Sequence, residues 1–258
     1  MSDFNSQAPW GSSAPAAPTD AAFDQGLRSF MLGVYNKLML GLLVAGGLAW
    51  VVGNVRPVTE LLFRFLGDRP VGYTPLGLVV AFAPIGIILF SNFFMRRTSP
   101  AASGILYWLL VAIIGASLGV LFLVYAGAEI ALALAITAGA FGGLSLIGYT
   151  TKRSLSGLGA FCIMGAWGVV LAGIATFFIH GLYANPMFFF AFNLIGVVVF
   201  SGLIAYKTQD LKLTYSAFRN DGASLAVASN YGALSLFISF VNLFQFILAL
   251  LGGGSRRN

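Results

Sequence analysis

The sequence predicts an all-α, polytopic membrane protein with seven transmembrane helices. Three observations carry that expectation. Hydrophobic residues make up 59% of the 258-residue chain. Charged residues make up 9%, against about 25% in an ordinary soluble domain. The apolar residues also fall into seven runs, each close to the roughly 20 residues that cross a bilayer as a helix. Seven such helices use about 140 residues. That leaves short loops and one polar tail, with no large extramembrane domain. A soluble enzyme is excluded, because so few charged residues cannot cover a core of this size.

Residues 1–26 are rich in Ala, Pro, Ser and Asp, with no apolar centre and no basic start. They suit neither a signal peptide nor a packed segment, and read as a disordered cytoplasmic tail before one transmembrane domain, 27–258. The apolar runs follow at 31–52, 76–95, 105–125, 130–149, 157–180, 187–206 and 231–251. Pro84 marks a kink in the second, which neighbouring helices can tolerate. Only Ala126 to Glu129 separate the third and fourth, which predicts a tight helical hairpin.

Orientation follows from basic residues in the short loops. One side collects Arg28, Arg96, Arg97, Lys152, Arg153, Lys207, Lys212 and Arg219; the other collects Arg56, Arg64, Arg69, Arg256 and Arg257. The balance of 8 against 5 places the N-terminus in the cytoplasm and the C-terminus outside. The net charge of +6 is explained by this topology. The lone Cys162 excludes an internal disulfide, and with the lone His180 it excludes a Cys- or His-based metal cluster. No cofactor is implied. Gly115 with Gly119, and Gly139 with Gly143, are small residues four apart that let helix backbones approach closely.

An ionisable side chain inside a bilayer is costly and marks a functional candidate. The deep parts of the seven runs hold none, and four lie at the edges: Lys37, Glu129, His180 and Lys207. Lys37 is expected to snorkel to the interface. Glu129 complements the positive end of the fourth helix. His180 reads as solvated or as a helix cap. Lys207 follows the sixth run directly, as an interfacial anchor or as a partner of Asp210 if the helix continues. In the last run, Ser235, Ser239 and Asn242 share one face, with Gln245 at its edge. Such a stripe either forms interhelical hydrogen bonds or lines a polar pathway. There is no GxSxG, no His–Asp pair and no pair of intramembrane carboxylates, so nothing points to catalysis.

Several ordered motifs resemble the Bax inhibitor-1/YccA family of membrane proteins, most closely its bacterial members. Phe23-Asp24-Gln25-Gly26-Leu27-Arg28, followed by Met31-Leu32 and Val34-Tyr35-Asn36, is similar to the bacterial entry motif. Ala83-Pro84-Ile85-Gly86 is similar to the second-helix motif. Phe141-Gly142, Ser145-Leu146 and Gly148-Tyr149-Thr150-Thr151-Lys152-Arg153 form the strongest stretch. Tyr206-Lys207-Thr208-Gln209 and the run from Leu236 to Phe244 match the last two motifs.

The resemblance implies seven helices with the C-terminal one enclosed by the other six, in a bacterial inner membrane. It also implies a slow, pH-sensitive calcium leak governed by two facing aspartates, and in one bacterial relative, modulation of the FtsH protease. At the aspartate positions this chain has Lys207 and Ser239, and at a third it has Ser154. A carboxylate pair can share and release a proton; lysine and serine cannot, and lysine repels a divalent cation. The expected function is therefore a non-catalytic regulator of membrane protein quality control or stress response, with an FtsH-type membrane protease as partner. The alternative is a leak for calcium or another cation with altered or lost gating. Lys207, Ser239, Asn242 and Asp210 are the candidate gating residues, with Lys207 expected to bond Ser239 and lock the last two helices together.

Overall fold

The computed structural model describes residues 20–67, 69–83, 99–179 and 181–252. The chain opens with α1 (Asp20–Asn54) and α2 (Arg56–Leu62), then strands β1 (Phe63–Leu66) and β2 (Arg69–Tyr73). A helix α3 runs over 75–83, where that described stretch ends. It is followed by α4 (Pro100–Ser117), α5 (Val120–Val124), α6 (Gly127–Thr150), α7 (Ser156–Phe178), α8 (Pro186–Phe218) and α9 (Gly222–Gly252). Among the described residues, six spans are long and apolar enough to cross a membrane, with α4 and α5 counted as one span. The expected second span, 76–95, lies mostly outside the described residues. So do Pro84, His180, Arg96, Arg97, Arg256, Arg257 and the first 19 residues.

The helices outrun the apolar runs that predicted them. α1 begins at Asp20, inside the stretch expected to be tail, α8 continues to Phe218 and α9 begins at Gly222. Hydrophobicity marks only the part of a helix that meets lipid. The backbone ladder continues into water until a cap or breaker stops it. At 33 residues, α8 is about 50 Å long, well beyond a hydrocarbon core of about 30 Å. Helix starts follow local capping chemistry. The Asn185 Oδ1 accepts from the amides of Met187 at 2.9 Å and Phe188 at 3.3 Å, and Pro186 needs no amide partner. The Ser99 hydroxyl does the same for Ala102 at 3.2 Å, ahead of Pro100.

The helix α9 is the most interior span. Its most apolar window is 56% buried, against 33% or less in the others. It packs on α1, α4, α6 and α8, while α7 packs on α8. The expected hairpin of the third and fourth spans is corrected here. The turn at Tyr125 and Ala126 is short, but its arms splay. One arm packs on α1 and α9, the other on α8 and α9, and α6 meets the first arm through α5. Both arms gain more by covering α9 than by covering each other.

The expectation of an all-α chain also needs one correction. β1 and β2 form an antiparallel hairpin, with Phe63 opposite Tyr73 and Leu66 opposite Arg69. Gly67 at φ 67° begins the reversal, a conformation that costs glycine little. The Phe63 and Tyr73 rings meet at 5.2 Å, a cross-strand aromatic pair of the kind that holds short hairpins.

The glycine pairs divide. Gly115 serves close packing as expected: a Cβ there would lie 2.6 Å from the Ala45 Cα. Gly139 and Gly143 do not, since nothing lies within 4 Å of a Cβ at either. The close approach of α6 occurs instead at Gly148, where a methyl group would collide with the Ala205 carbonyl of α8.

Candidate functional site

The polar residues of α9 meet two lysines from different sides. Lys207 of α8 donates to the Ser239 hydroxyl at 3.1 Å and to the Ser235 carbonyl at 3.3 Å. The Ser239 hydroxyl, fully buried, donates in turn to the Ser235 carbonyl at 2.9 Å. The geometry has a local cause. A helical side chain leans toward its helix N-terminus, so Lys207 points back into the bundle rather than out to the interface. Lys207 lies 21 residues beyond Pro186, about 31 Å along α8, at the rim of the hydrocarbon layer. It thus lies within a continuous helix, where the apolar run alone placed it at the end. The contact between Lys207 and Ser239 is present. Asp210 is exposed although the helix continues through it, and the ammonium turns to α9 instead. Asn242 bonds the Ile238 carbonyl of its own helix at 2.8 Å.

The second lysine corrects an expectation. Lys37 does not simply snorkel: its ammonium donates to the Asn230 Oδ1 at 2.7 Å and the Ser229 hydroxyl at 3.0 Å. The Asn230 amide then donates to the Ser103 hydroxyl at 2.8 Å and the Pro100 carbonyl at 3.3 Å. The Tyr107 hydroxyl donates to the Lys37 carbonyl at 2.6 Å. This network ties α1, α4 and α9 together through groups that lipid could not satisfy. It escaped the sequence because Ser229 and Asn230 precede the apolar run that defined the last helix.

Beyond the lipid-facing length, α8 braces the turn between α6 and α7. Gln209 accepts from the Leu155 amide at 2.7 Å and donates to the Arg153 carbonyl at 2.8 Å. Lys212 donates to the Tyr149 carbonyl at 2.5 Å and lies 5.2 Å from the centre of its ring. Ser154 sits in this turn, exposed, 2.8 Å from the Ser156 hydroxyl. Glu129 accepts from the Ala126 amide at 3.1 Å at the start of α6. Among the described residues, no three His, Cys, Asp or Glu side chains come together. The site is thus a cationic, hydrogen-bonded seam along α9. It can hold helices in register, but it offers no carboxylate pair.

The family profile of the inhibitor of apoptosis-promoting Bax1 matches residues 27–257. An uncharacterised protein of Caulobacter vibrioides is 51% identical, over 98% of this chain and 99% of its own length. The uncharacterised protein RP147 of Rickettsia prowazekii is 37% identical, over 89% of this chain and 92% of its own length. The inner membrane protein YbhL of Escherichia coli is 37% identical, over 88% of this chain and 92% of its own length. A family match across nearly the whole chain agrees with the apolar helices that traverse it. The chain is a multi-pass integral membrane protein of the Bax inhibitor-1 family.

Proposed function

We propose that this chain is a non-catalytic regulator in the bacterial inner membrane, acting on membrane protein quality control through an FtsH-type protease. In this reading it has seven spans, the last enclosed by the other six, with a cytoplasmic N-terminus and a periplasmic C-terminus. The observation that carries the reading is the Lys207 ammonium bonded to Ser239 and Ser235. A proton-gated cation path needs acids that change charge. A lysine held against two oxygens is instead a fixed strut between α8 and α9, and it repels divalent cations. The relation to a named inner membrane protein of Escherichia coli supports the location.

The deciding experiment compares calcium flux in liposomes for the native chain and a Lys207→Asp, Ser239→Asp double variant. Flux gained only by the variant is expected. A native leak that rises steeply with pH would overturn the proposal. Recovery of the protease with the native chain at natural expression levels tests the partner. A second reading, a cation leak with altered or lost gating, is favoured by the half-buried Asn242 one turn beyond Ser239. Equal, pH-independent flux in both proteins supports that reading.

A further inference from the structure

Helices α1 and α6 both rest on α9 and barely touch each other. The gap between them holds two cavities in series. The first, of about 430 Å³, lies between Arg28, Met31 and Tyr35 of α1 and Gly142, Ser145 and Tyr149 of α6. The second, of about 490 Å³, is lined by apolar side chains, with Met39, Leu43 and Trp50 on one wall, Leu134 on the other and Phe240 and Phe244 beneath. Both lie in the volume range of ligand sites, about 300–1,000 Å³. Phe141 on the first and Phe240 on the second meet edge to face at 5.5 Å between them. From Arg28 to Trp50 the cleft follows α1 for about 33 Å, a full hydrocarbon thickness. It opens sideways: Leu43 is 70% exposed and Leu146 63% exposed.

The two ends of the cleft differ in chemistry. Around the first cavity, Arg28 is exposed and makes no hydrogen bond or ion pair among the described residues. Lys152 and Arg153 follow the end of α6, and Lys212 lies over the Tyr149 ring. Ser145, only 7% exposed, lines this cavity, with its hydroxyl oxygen enclosed in the helix packing rather than open to the cavity. A basic rim and an apolar trough beyond it match the headgroup and chain of an anionic lipid.

We propose that the α1–α6 cleft binds an anionic glycerophospholipid, with its phosphate at Arg28 and one acyl chain laid past Phe141 toward Phe244. The site is independent of the Lys207 seam and of the regulatory reading above.

The test uses the full chain, purified in mild detergent, stripped of lipid and followed by native mass spectrometry. Adducts of phosphatidylglycerol are expected at about fivefold lower lipid concentration than those of phosphatidylcholine, the gain one arginine brings near an anionic headgroup. Arg28→Ala removes that preference and Arg28→Lys keeps it. Gly142→Leu weakens binding of both lipids, because its side chain enters space where a Cβ meets nothing within 4 Å. Arg64→Ala, on the hairpin, behaves as the native chain. Equal affinity for the two lipids, or an unchanged preference in Arg28→Ala, overturns the proposal. So does a lipid-free dimer that occupies the cleft. A phosphatidylglycerol with a photoreactive acyl chain probes the native protein without any variant. Label is expected on α1 and α6, and label spread evenly onto α7 would refute the site.

Discussion

At the scale of the residue, the two partners in the α8–α9 seam are unequal. Loss of Ser239 leaves the Lys207 ammonium with one acceptor inside the bundle. Loss of Lys207 leaves the Ser239 hydroxyl still bonded to Ser235. Ser239→Ala is therefore expected to cost about 0.6–1.7 kcal/mol, and Lys207→Met less, since removing a buried charge together with its desolvation is often neutral. Unfolding in mixed micelles measures both, and a larger loss for Lys207→Met contradicts the assignment. Asp221 offers a pH test outside the spans. It accepts from the Ser224 hydroxyl at 2.5 Å, the Ser224 amide at 3.2 Å and the Ala223 amide at 3.0 Å. The Ser224 hydroxyl foremost, then the two amides, hold its carboxyl below the ordinary 3.8. The charged form is the bonded one, so this contribution is full above 3.8 and is lost as pH falls through the lower folded value. Between about pH 4 and 2, the melting temperature of the native chain should fall more than that of Asp221→Asn.

At the scale of the element, small residues set how closely helices approach, and only some of them do so. Gly148 meets the backbone of α8, whereas Gly143 meets open space. Gly148→Ala is expected to destabilise the chain by about 1–3 kcal/mol through forced separation of α6 and α8. Gly143→Ala should be neutral or gain up to about 1 kcal/mol from helix propensity. Thermal melting of the two variants side by side checks the contrast. The spacing of four was legible in the sequence for both pairs; which pair faces a partner was not, because spacing marks a face without naming its neighbour. Helix type and the core of each described span were equally legible, because hydrophobic run length is dictated by the bilayer. Helix ends were not, because α8 and α9 continue as polar helices that lipid never selects.

At the scale of the whole molecule, the low charge count and its placement work together. The six described spans carry their basic residues mostly at ends and turns. In the proposed seven-span arrangement, the two termini lie on opposite sides. Alkaline phosphatase fused after Leu251 is therefore expected to be active, and the same reporter fused before Asp20 inactive. Activity at both ends, or at neither, would require an even number of spans. The splay of α4 and α6 over α9 also has a consequence at this scale. It leaves the α1–α6 cleft open to the side, where a bundle of tight hairpins would have closed it.

Residue type alone makes this a multi-pass helical membrane protein, and puts a lysine at the edge of the sixth apolar run and a serine within the seventh, with no acid deep in any run. Both conclusions depend on residue type alone, since lipid selects for apolar length and chemistry for ionisable groups. Tertiary packing, in contrast, turns Lys37 and Lys207 inward to α9, leaves Asp210 outside and opens the cleft between α1 and α6. Those outcomes depend on how helices are rotated and spaced. Rotation and spacing are set by packing between segments distant in sequence, and a single run of residues carries no record of its neighbours.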